Sequence, residues 1–271
     1  MSYHSNRFGR AAKTYNAHCE AQVIMSKTLM GLLSDSAPLF EVGENGILEL
    51  GCGTGILTRP MLQEFPRSSL LATDASDQML IEAVKNFGPT RVLNPKLKFQ
   101  VLDASGNDDV IPSNPLKTTF DLAASNALVQ WFPDLTRHFK WVSKRLESHG
   151  GYLVSGFSRD NFPELNILLS EPPFNYSAFP GHRKEEVSSA AQAAGFHLES
   201  WTEESLEAIF PSPEAFLAAI SGLGSSRRPS EASLTRTRLI YLVDAYRERY
   251  SCEGGVKATW KPWYAFLRVA R

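Results

Sequence analysis

A chain of 271 residues carrying 28 basic and 29 acidic side chains is nearly neutral, which gives no bulk-charge argument for nucleic-acid binding. That length can bury a full core as one α/β domain with an appended cap, and no stretch is long and apolar enough to span a bilayer. Cys19, Cys52 and Cys252 are widely spaced and outside any C-x-x-C pair, and Met1 to Arg7 lacks a signal-peptide core, so a cytoplasmic monomer without disulfides or metal is expected.

A helical region over about Ala11–Leu33 opens the chain. Strands and helices then alternate. Strand one is read as Gly46–Leu50, followed by a helix over about Ile56–Phe65; strand two is Ser69–Thr73, with Asp77 capping a helix over Gln78–Asn86. Strand three is Leu97–Leu102, strand four Phe120–Ala124, and a helix spans about Leu135–Glu147. His149-Gly150-Gly151 reads as a stop before strand five, Tyr152–Gly156. The second half is less regular: a proline- and aromatic-rich loop from Glu171 to Gly181, a helix over Lys184–Ala194, a strand over Phe196–Trp201, helical sequence from about Pro211 to Glu248 and a closing strand, Trp260–Val269. The expected fold class is α/β, a Rossmann-like, mostly parallel seven-stranded sheet with helices on both faces and a helical cap. Ligands of such sheets bind outside the C-terminal strand ends.

Three strand ends carry the signals. In Ile47-Leu48-Glu49-Leu50-Gly51-Cys52-Gly53-Thr54-Gly55, glycines at alternate positions remove Cβ atoms where the backbone turns sharply and approaches a ligand. The helix expected near Ile56 would aim unpaired N–H groups at the same spot. The third glycine comes one residue earlier than in the dinucleotide G-x-G-x-x-G fingerprint. Asp74 follows Gly55 by 19 residues at the tip of the second strand, where a carboxylate accepts both hydroxyls of a ribose. Asp103 ends the third strand, placed to meet an adenine amino group. Cys52 is expected to pack as a small apolar residue in the turn.

The Glu49-x-Gly51-x-Gly53-x-Gly55 run with Asp74 and Asp103 resembles the class I S-adenosylmethionine-dependent methyltransferases. The resemblance implies cofactor contacts from Glu49, Gly51, Cys52, Gly53, Gly55, Asp74, Ala75, Met79, Asp103, Ala104 and Asn126. Residues 44–156 would form the cofactor core beneath a helical cover, 1–40, with a substrate half, 157–271, carrying a cap at about 206–255. Two further segments, Arg7 to Gln22 and Ser125-Asn126-Ala127-Leu128-Val129-Gln130-Trp131-Phe132, resemble the malonyl-acyl carrier protein O-methyltransferases of biotin synthesis, and the likeness extends to Ala218–Gly224 and the closing strand. The cap departs from the family pattern at Ser221 and Ser225-Ser226-Arg227.

That resemblance implies esterification of the free carboxylate of malonyl-acyl carrier protein or malonyl-CoA. A carboxylate is ionised near neutral pH, so no catalytic base is expected. Tyr15 and His18, three apart, would share a helix face and position the reacting groups. Arg227 and Arg228, with Arg183, are candidate carboxylate donors, and Trp131 and Phe132 candidate walls. Basic residues of the cap (Arg227, Arg228, Arg236, Arg238, Arg247, Arg249) and of the helix after strand four (Arg137, Lys140, Lys144, Arg145) would steer an acidic carrier. The rival readings are a methyltransferase of a free acid such as trans-aconitate, a non-catalytic S-adenosylmethionine-binding module and a nicotinamide dehydrogenase. Ser125-Asn126-Ala127-Leu128 lacks the Asn/Asp-Pro-Pro-aromatic motif used on flipped bases.

Overall fold

The computed structural model describes Gly9, Ala12 and residues 15–36, 40–88, 95–106, 119–174, 181–222 and 235–270. The first half runs α1 (Glu20–Ser36), β1 (Ile47–Leu50), α2 (Thr58–Glu64), β2 (Leu70–Asp74), α3 (Asp77–Phe87), β3 (Leu97–Val101), β4 (Phe120–Ser125), α4 (Leu135–Ser143) and β5 (Leu146–Phe157). The second half adds α5 (Pro163–Ser170), α6 (Lys184–Ala193), β6 (Phe196–Glu203), β7 (Leu206–Phe210), α7 (Pro213–Gly222), α8 (Arg236–Tyr250), β8 (Ser251–Cys252), β9 (Gly255–Trp260) and β10 (Pro262–Val269).

Seven strands form one sheet in the order β3-β2-β1-β4-β5-β10-β6. β1 to β5 pair in parallel, and β10 is antiparallel to both of its neighbours. The expected fold class is therefore observed. Alternation along the strands divides the core in two. Ile47, Leu122, Ala124 and Leu153 pack with Met25, Leu29 and Met61 on one face; Leu48, Leu50, Ala123, Tyr152 and Val154 pack with Phe139, Val142 and Val187 on the other. Because helices cover both faces, the central strands read as continuous apolar runs.

Several local expectations are corrected. Ser76, not Asp77, caps α3: its Oγ accepts from the Met79 N–H, and Asp77 is the first helical residue. His149-Gly150-Gly151 lies inside β5, which begins at Leu146, six residues before the expected start. Pairing with β4 jumps from Phe120↔Leu146 to Leu122↔Gly151, so the glycines absorb a bulge. A Cβ on Gly150 would stand 3.0 Å from the Leu146 Cβ and 3.1 Å from the Asp121 carbonyl oxygen.

The cap is also part sheet. β6 and β10 continue beyond Glu204 and Lys261 as β7 and β9, which pair from Leu206↔Trp260 to Phe210↔Val256, with β8 beside β9. α7 and α8 lie between β7 and β8, so the cap is the far end of the last hairpin carrying a helical insertion. Buried Glu164 fixes it to the core, accepting from the Thr259 N–H (3.1 Å) and hydroxyl (2.5 Å), while the Phe162 ring packs on Trp260 and Phe216. No described helix is long and apolar enough to cross a membrane.

Candidate active site

The C-terminal ends of β1 to β4 open onto a cavity of about 350 Å³ lined by Gly51, Gly53, Asp74, Ala75, Met79, Asp103, Ala104 and Asn126 of the expected set, together with Tyr15 and Trp131. The glycine turn supplies its floor. Gly53 has φ +54, and a Cβ there would meet nothing within 4 Å; the missing side chain leaves open space for a ligand. Gly55 serves packing instead: with φ +92, its Cβ would stand 2.4 Å from the Phe87 ring. α2 starts at Thr58, two residues later than expected, so the turn itself, not a helix end, faces the cavity.

Asp74 is braced from both sides. Oδ2 accepts from the Gly53 N–H (3.0 Å) and Oδ1 from the Ser76 N–H (2.8 Å). Burial pushes its carboxyl up to about 6, and these two N–H groups oppose the shift. Asp103 Oδ1 accepts from the Ser105 N–H at 2.9 Å, an Asx turn that aims the residue into the cavity. Asn126 is held at both ends of its amide: Nδ2 donates to the Gln22 carbonyl of α1 (2.9 Å) and Oδ1 accepts from Ser155 of β5 (2.7 Å). The next residue, Ala127, sits at φ +52, a left-handed conformation costing a side-chain-bearing residue about 1–2 kcal/mol. Ser155 Oγ accepts from its N–H, and the Gln130 amide donates to its carbonyl, over-determining the bend.

Three expected cofactor residues lie behind the wall. Glu49 is buried on β1, where Thr58 donates to Oε2 at 2.6 Å and Oε1 has no partner; burial pushes its carboxyl up to about 8. Cys52 packs in the apolar core, its thiol pushed far above the usual range by burial. Neither residue lines the cavity, nor does Gly55.

Tyr15 does line it, half-buried in a 3-10 turn, Tyr15–Ala17, and burial raises its phenol above the ordinary range. The neighbouring Asn16 Oδ1 accepts from Thr54 Oγ1 at 2.6 Å, tying this turn to the glycine turn. His18 is exposed and outside the cavity wall: the three-residue turn ends before α1 begins at Glu20, so no single helix carries both residues on one face. Arg183 is likewise outside. It precedes α6 and reaches Asp160 at 3.5 Å. Arg227 and Arg228 lie outside the described residues. Of the expected basic faces, Arg247 pairs with Glu214 (2.7 Å), Arg249 with Glu171 (2.8 Å), and Arg145 is buried over the Trp141 ring (3.6 Å). Leu102, Ser105, Ala127, Leu128 and Pro133 also line the cavity; each directly follows or neighbours a strand-end motif, and that adjacency was the available signal.

The charged side chains in the described wall are Asp74 and Asp103, both acids. A glycine cradle beneath, two carboxylates on adjacent strand ends and aromatic sides suit a cationic nucleoside-bearing ligand. The fold supports the same class. The YcgJ protein of Bacillus subtilis superposes with a TM-score of 0.61 at 15% identity, covering 90% of this chain and 99% of that one. An S-adenosylmethionine-dependent methyltransferase of Clostridium acetobutylicum gives 0.52 at 14% identity, covering 91% of each chain. A methyltransferase-domain family model matches residues 48–153. The fold is that of the Rossmann-like methyltransferases, and the matched segment is a methyltransferase domain. Over nearly its full length the chain resembles the malonyl-[acyl-carrier protein] O-methyltransferase of Priestia megaterium, 31% identical over 94% of this chain and 92% of the relative. A namesake of Ilyobacter polytropus is 30% identical over 94% and 90%. The chain belongs to the malonyl-[acyl-carrier protein] O-methyltransferase family.

We propose that Asp74 receives two ribose hydroxyls, which would give cofactor binding a pH limit. In the free protein its carboxyl holds a proton below about 6, and accepting two ribose hydroxyls needs the ionised form. Affinity for S-adenosylhomocysteine should be level near pH 7–8 and fall by about tenfold per pH unit below about 6. Calorimetric titration checks this; tighter binding at pH 5 would contradict it.

Proposed function

We propose that the chain transfers a methyl group to the free carboxylate of a malonyl thioester carried by acyl carrier protein or coenzyme A, the first masking step toward a biotin precursor. The observation that carries this reading is the 31% identity, over 94% of the chain, to a relative named for that reaction. The site chemistry agrees. The described wall offers Tyr15, Asp74 and Asp103 as titratable groups. Tyr15 is held neutral by burial, and both aspartates serve the nucleoside end. A carboxylate acceptor arrives already ionised and needs no base.

When bound, S-adenosylmethionine supplies an electrophilic methyl group, which the acceptor oxygen takes as the carbon–sulfur bond breaks and its electron pair remains on sulfur. The protein's part is placement. Gly51, Gly53, Asp74 and Asp103 hold the donor, Asn126 and Ala127 fix the wall beyond the glycine turn, and Tyr15, Trp131 and Phe132 close it against water. Such positioning can contribute up to about 7–11 kcal/mol. Water exclusion also strips solvent from the acceptor carboxylate and raises its nucleophilicity. In this reading residues 1–40 cover the site, 44–156 hold the donor and 157–271 select the acceptor, with Arg227 and Arg228 gripping the carboxylate. The same reading takes the protein as a monomer, and three free thiols suit the cytoplasm.

Methyl transfer to malonyl-acyl carrier protein, malonyl-CoA and trans-aconitate, run side by side, tests the proposal. Turnover of a malonyl thioester well above the free acid is expected; aconitate alone reacting, or no acid reacting, would overturn it. Carrier binding should weaken with ionic strength while S-adenosylmethionine binding does not, because exposed charges such as Arg236 and Arg238 are screened by salt. An equal response of both ligands would refute steering.

A further inference from the structure

α4 buries Leu135, His138, Phe139, Trp141 and Val142, and His138 is the one ionisable group among them. Its ring lies between Phe132 (4.6 Å), Phe139 (5.7 Å) and Tyr152 (5.8 Å), with no solvent exposure. Nδ1 is 2.6 Å from the Ala104 carbonyl oxygen, Nε2 is 2.9 Å from the Tyr152 hydroxyl, and that hydroxyl is 2.8 Å from Ser125 Oγ.

The proton positions follow from these contacts. A carbonyl only accepts, so Nδ1 carries the hydrogen. Burial pushes the imidazole down to about 4, so near neutrality the ring is uncharged and Nε2 accepts. Tyr152 then donates to Nε2, and Ser125 donates to the Tyr152 oxygen. On the far side, the peptide unit whose carbonyl His138 grips has the Ser105 N–H at its other end, and that N–H donates to Asp103 Oδ1. Each donates to the next, from Ser125 through Tyr152, His138 and the Ala104–Ser105 peptide to Asp103, the final acceptor. Such chains polarise in series, each bond strengthening the next.

We propose that His138, held by Tyr152 and Ser125, is a positioning residue for the purine subsite, orienting the Asp103–Ser105 turn so that its carboxylate selects adenine. Asp103, Ala104 and Ser105 all line the cavity, whereas His138, Tyr152 and Ser125 do not. The relay therefore reaches the ligand through the turn, locking one peptide plane at both ends. An ionised carboxylate favours adenine, whose exocyclic amine donates, over hypoxanthine, whose oxygen accepts, and an unpaired buried polar atom makes the wrong base costly. The inference rests on the S-adenosylmethionine reading of the cavity and not on the identity of the acceptor.

The test compares calorimetric affinities for S-adenosylhomocysteine and S-inosylhomocysteine in the wild type, His138→Phe, His138→Asn and Tyr152→Phe, with thermal unfolding alongside. The wild type should prefer the adenine ligand. In His138→Phe, whose ring suits the aromatic surround, adenine affinity should fall by about tenfold or more and the base preference should shrink toward one. His138→Asn, which keeps a donor near Ala104, should recover part of the preference. Tyr152→Phe should shift it the same way by a smaller factor, since Nε2 loses its donor and the ring its fixed tautomer. KM for S-adenosylmethionine should rise with kcat at saturation preserved. A role confined to stability would lower the melting temperature and leave the base preference intact; that result in His138→Phe, or in Tyr152→Phe should the first variant not fold, would overturn the proposal. Failure of the wild type to bind S-adenosylhomocysteine would instead strike the cofactor reading itself.

Discussion

Replacing Asp74 by alanine should weaken S-adenosylmethionine binding by at least about a hundredfold, the largest loss expected of any single side chain in this site. The carboxylate has two tasks. It accepts from the Gly53 and Ser76 N–H groups, holding the glycine turn against the start of α3. In the proposed site it would also present charged acceptor atoms to the ribose. Hydrogen bonds to a charged group contribute about 1.5–3 kcal/mol each, so two lost ribose contacts alone amount to about 3–6 kcal/mol. Asp74→Asn keeps one acceptor oxygen and the side-chain volume, so its loss should be smaller and free of the pH limit below about 6. Titration with S-adenosylhomocysteine measures both. Equal affinity in Asp74→Ala and wild type would remove Asp74 from the binding site.

The glycine pair should separate binding from folding. Gly53 and Gly55 both have positive φ, but their surroundings differ: open space at the first, the Phe87 ring at the second. Gly53→Ala adds a methyl where the ligand must approach, and the left-handed backbone costs about 1–2 kcal/mol. Cofactor affinity should therefore fall by about ten- to hundredfold with only a modest drop in melting temperature. Gly55→Ala meets the same backbone penalty and drives its Cβ into the Phe87 ring, so about 2–4 kcal/mol of stability should go, with cofactor affinity much less affected in the fraction that folds. Thermal unfolding and titration on the two variants read the contrast. The reverse pattern would mean that Gly53, not Gly55, is the glycine packed against a side chain.

Motifs local in sequence were legible, and those needing distant partners were not. Gly51, Gly53, Asp74, Asp103 and Asn126 each stand at or just past the end of an apolar run, and parallel strands bring such ends together by topology alone. Glu49 shares the motif but is buried within β1 like its neighbours, and Thr58 of α2 takes up its carboxylate, a partner the spacing of the run does not reveal. His18 was placed with Tyr15 on a helix that does not extend that far, because the chain makes a short 3-10 turn before α1. β7 and β9 went unread since their partners lie about fifty residues apart across two helices. The Gly254-Gly255 pair, with φ +89 and +145, was their one local sign. His138 was hidden for a similar reason: it occupies an apolar face of α4, and its partners Ala104 and Tyr152 come from two other parts of the chain.

In the proposed arrangement the acids of the described wall serve the donor, so the acceptor's negative charge would be met by groups beyond them. Arg227 and Arg228 stand in the segment between α7 and α8, the insertion that distinguishes this cap from a plain hairpin. Substituting both by alanine should raise KM for the malonyl thioester while leaving S-adenosylhomocysteine affinity unchanged, a split that steady-state kinetics and titration resolve together. Loss of both affinities would place them at the donor instead.

Calorimetric titration of the folded protein with S-adenosylhomocysteine, and separately with NAD, decides whether the cavity holds an S-adenosyl ligand. Saturable binding of one S-adenosylhomocysteine per chain and no heat from NAD are expected. Folded protein that ignores the first ligand, or binds the second in its place, would contradict this expectation.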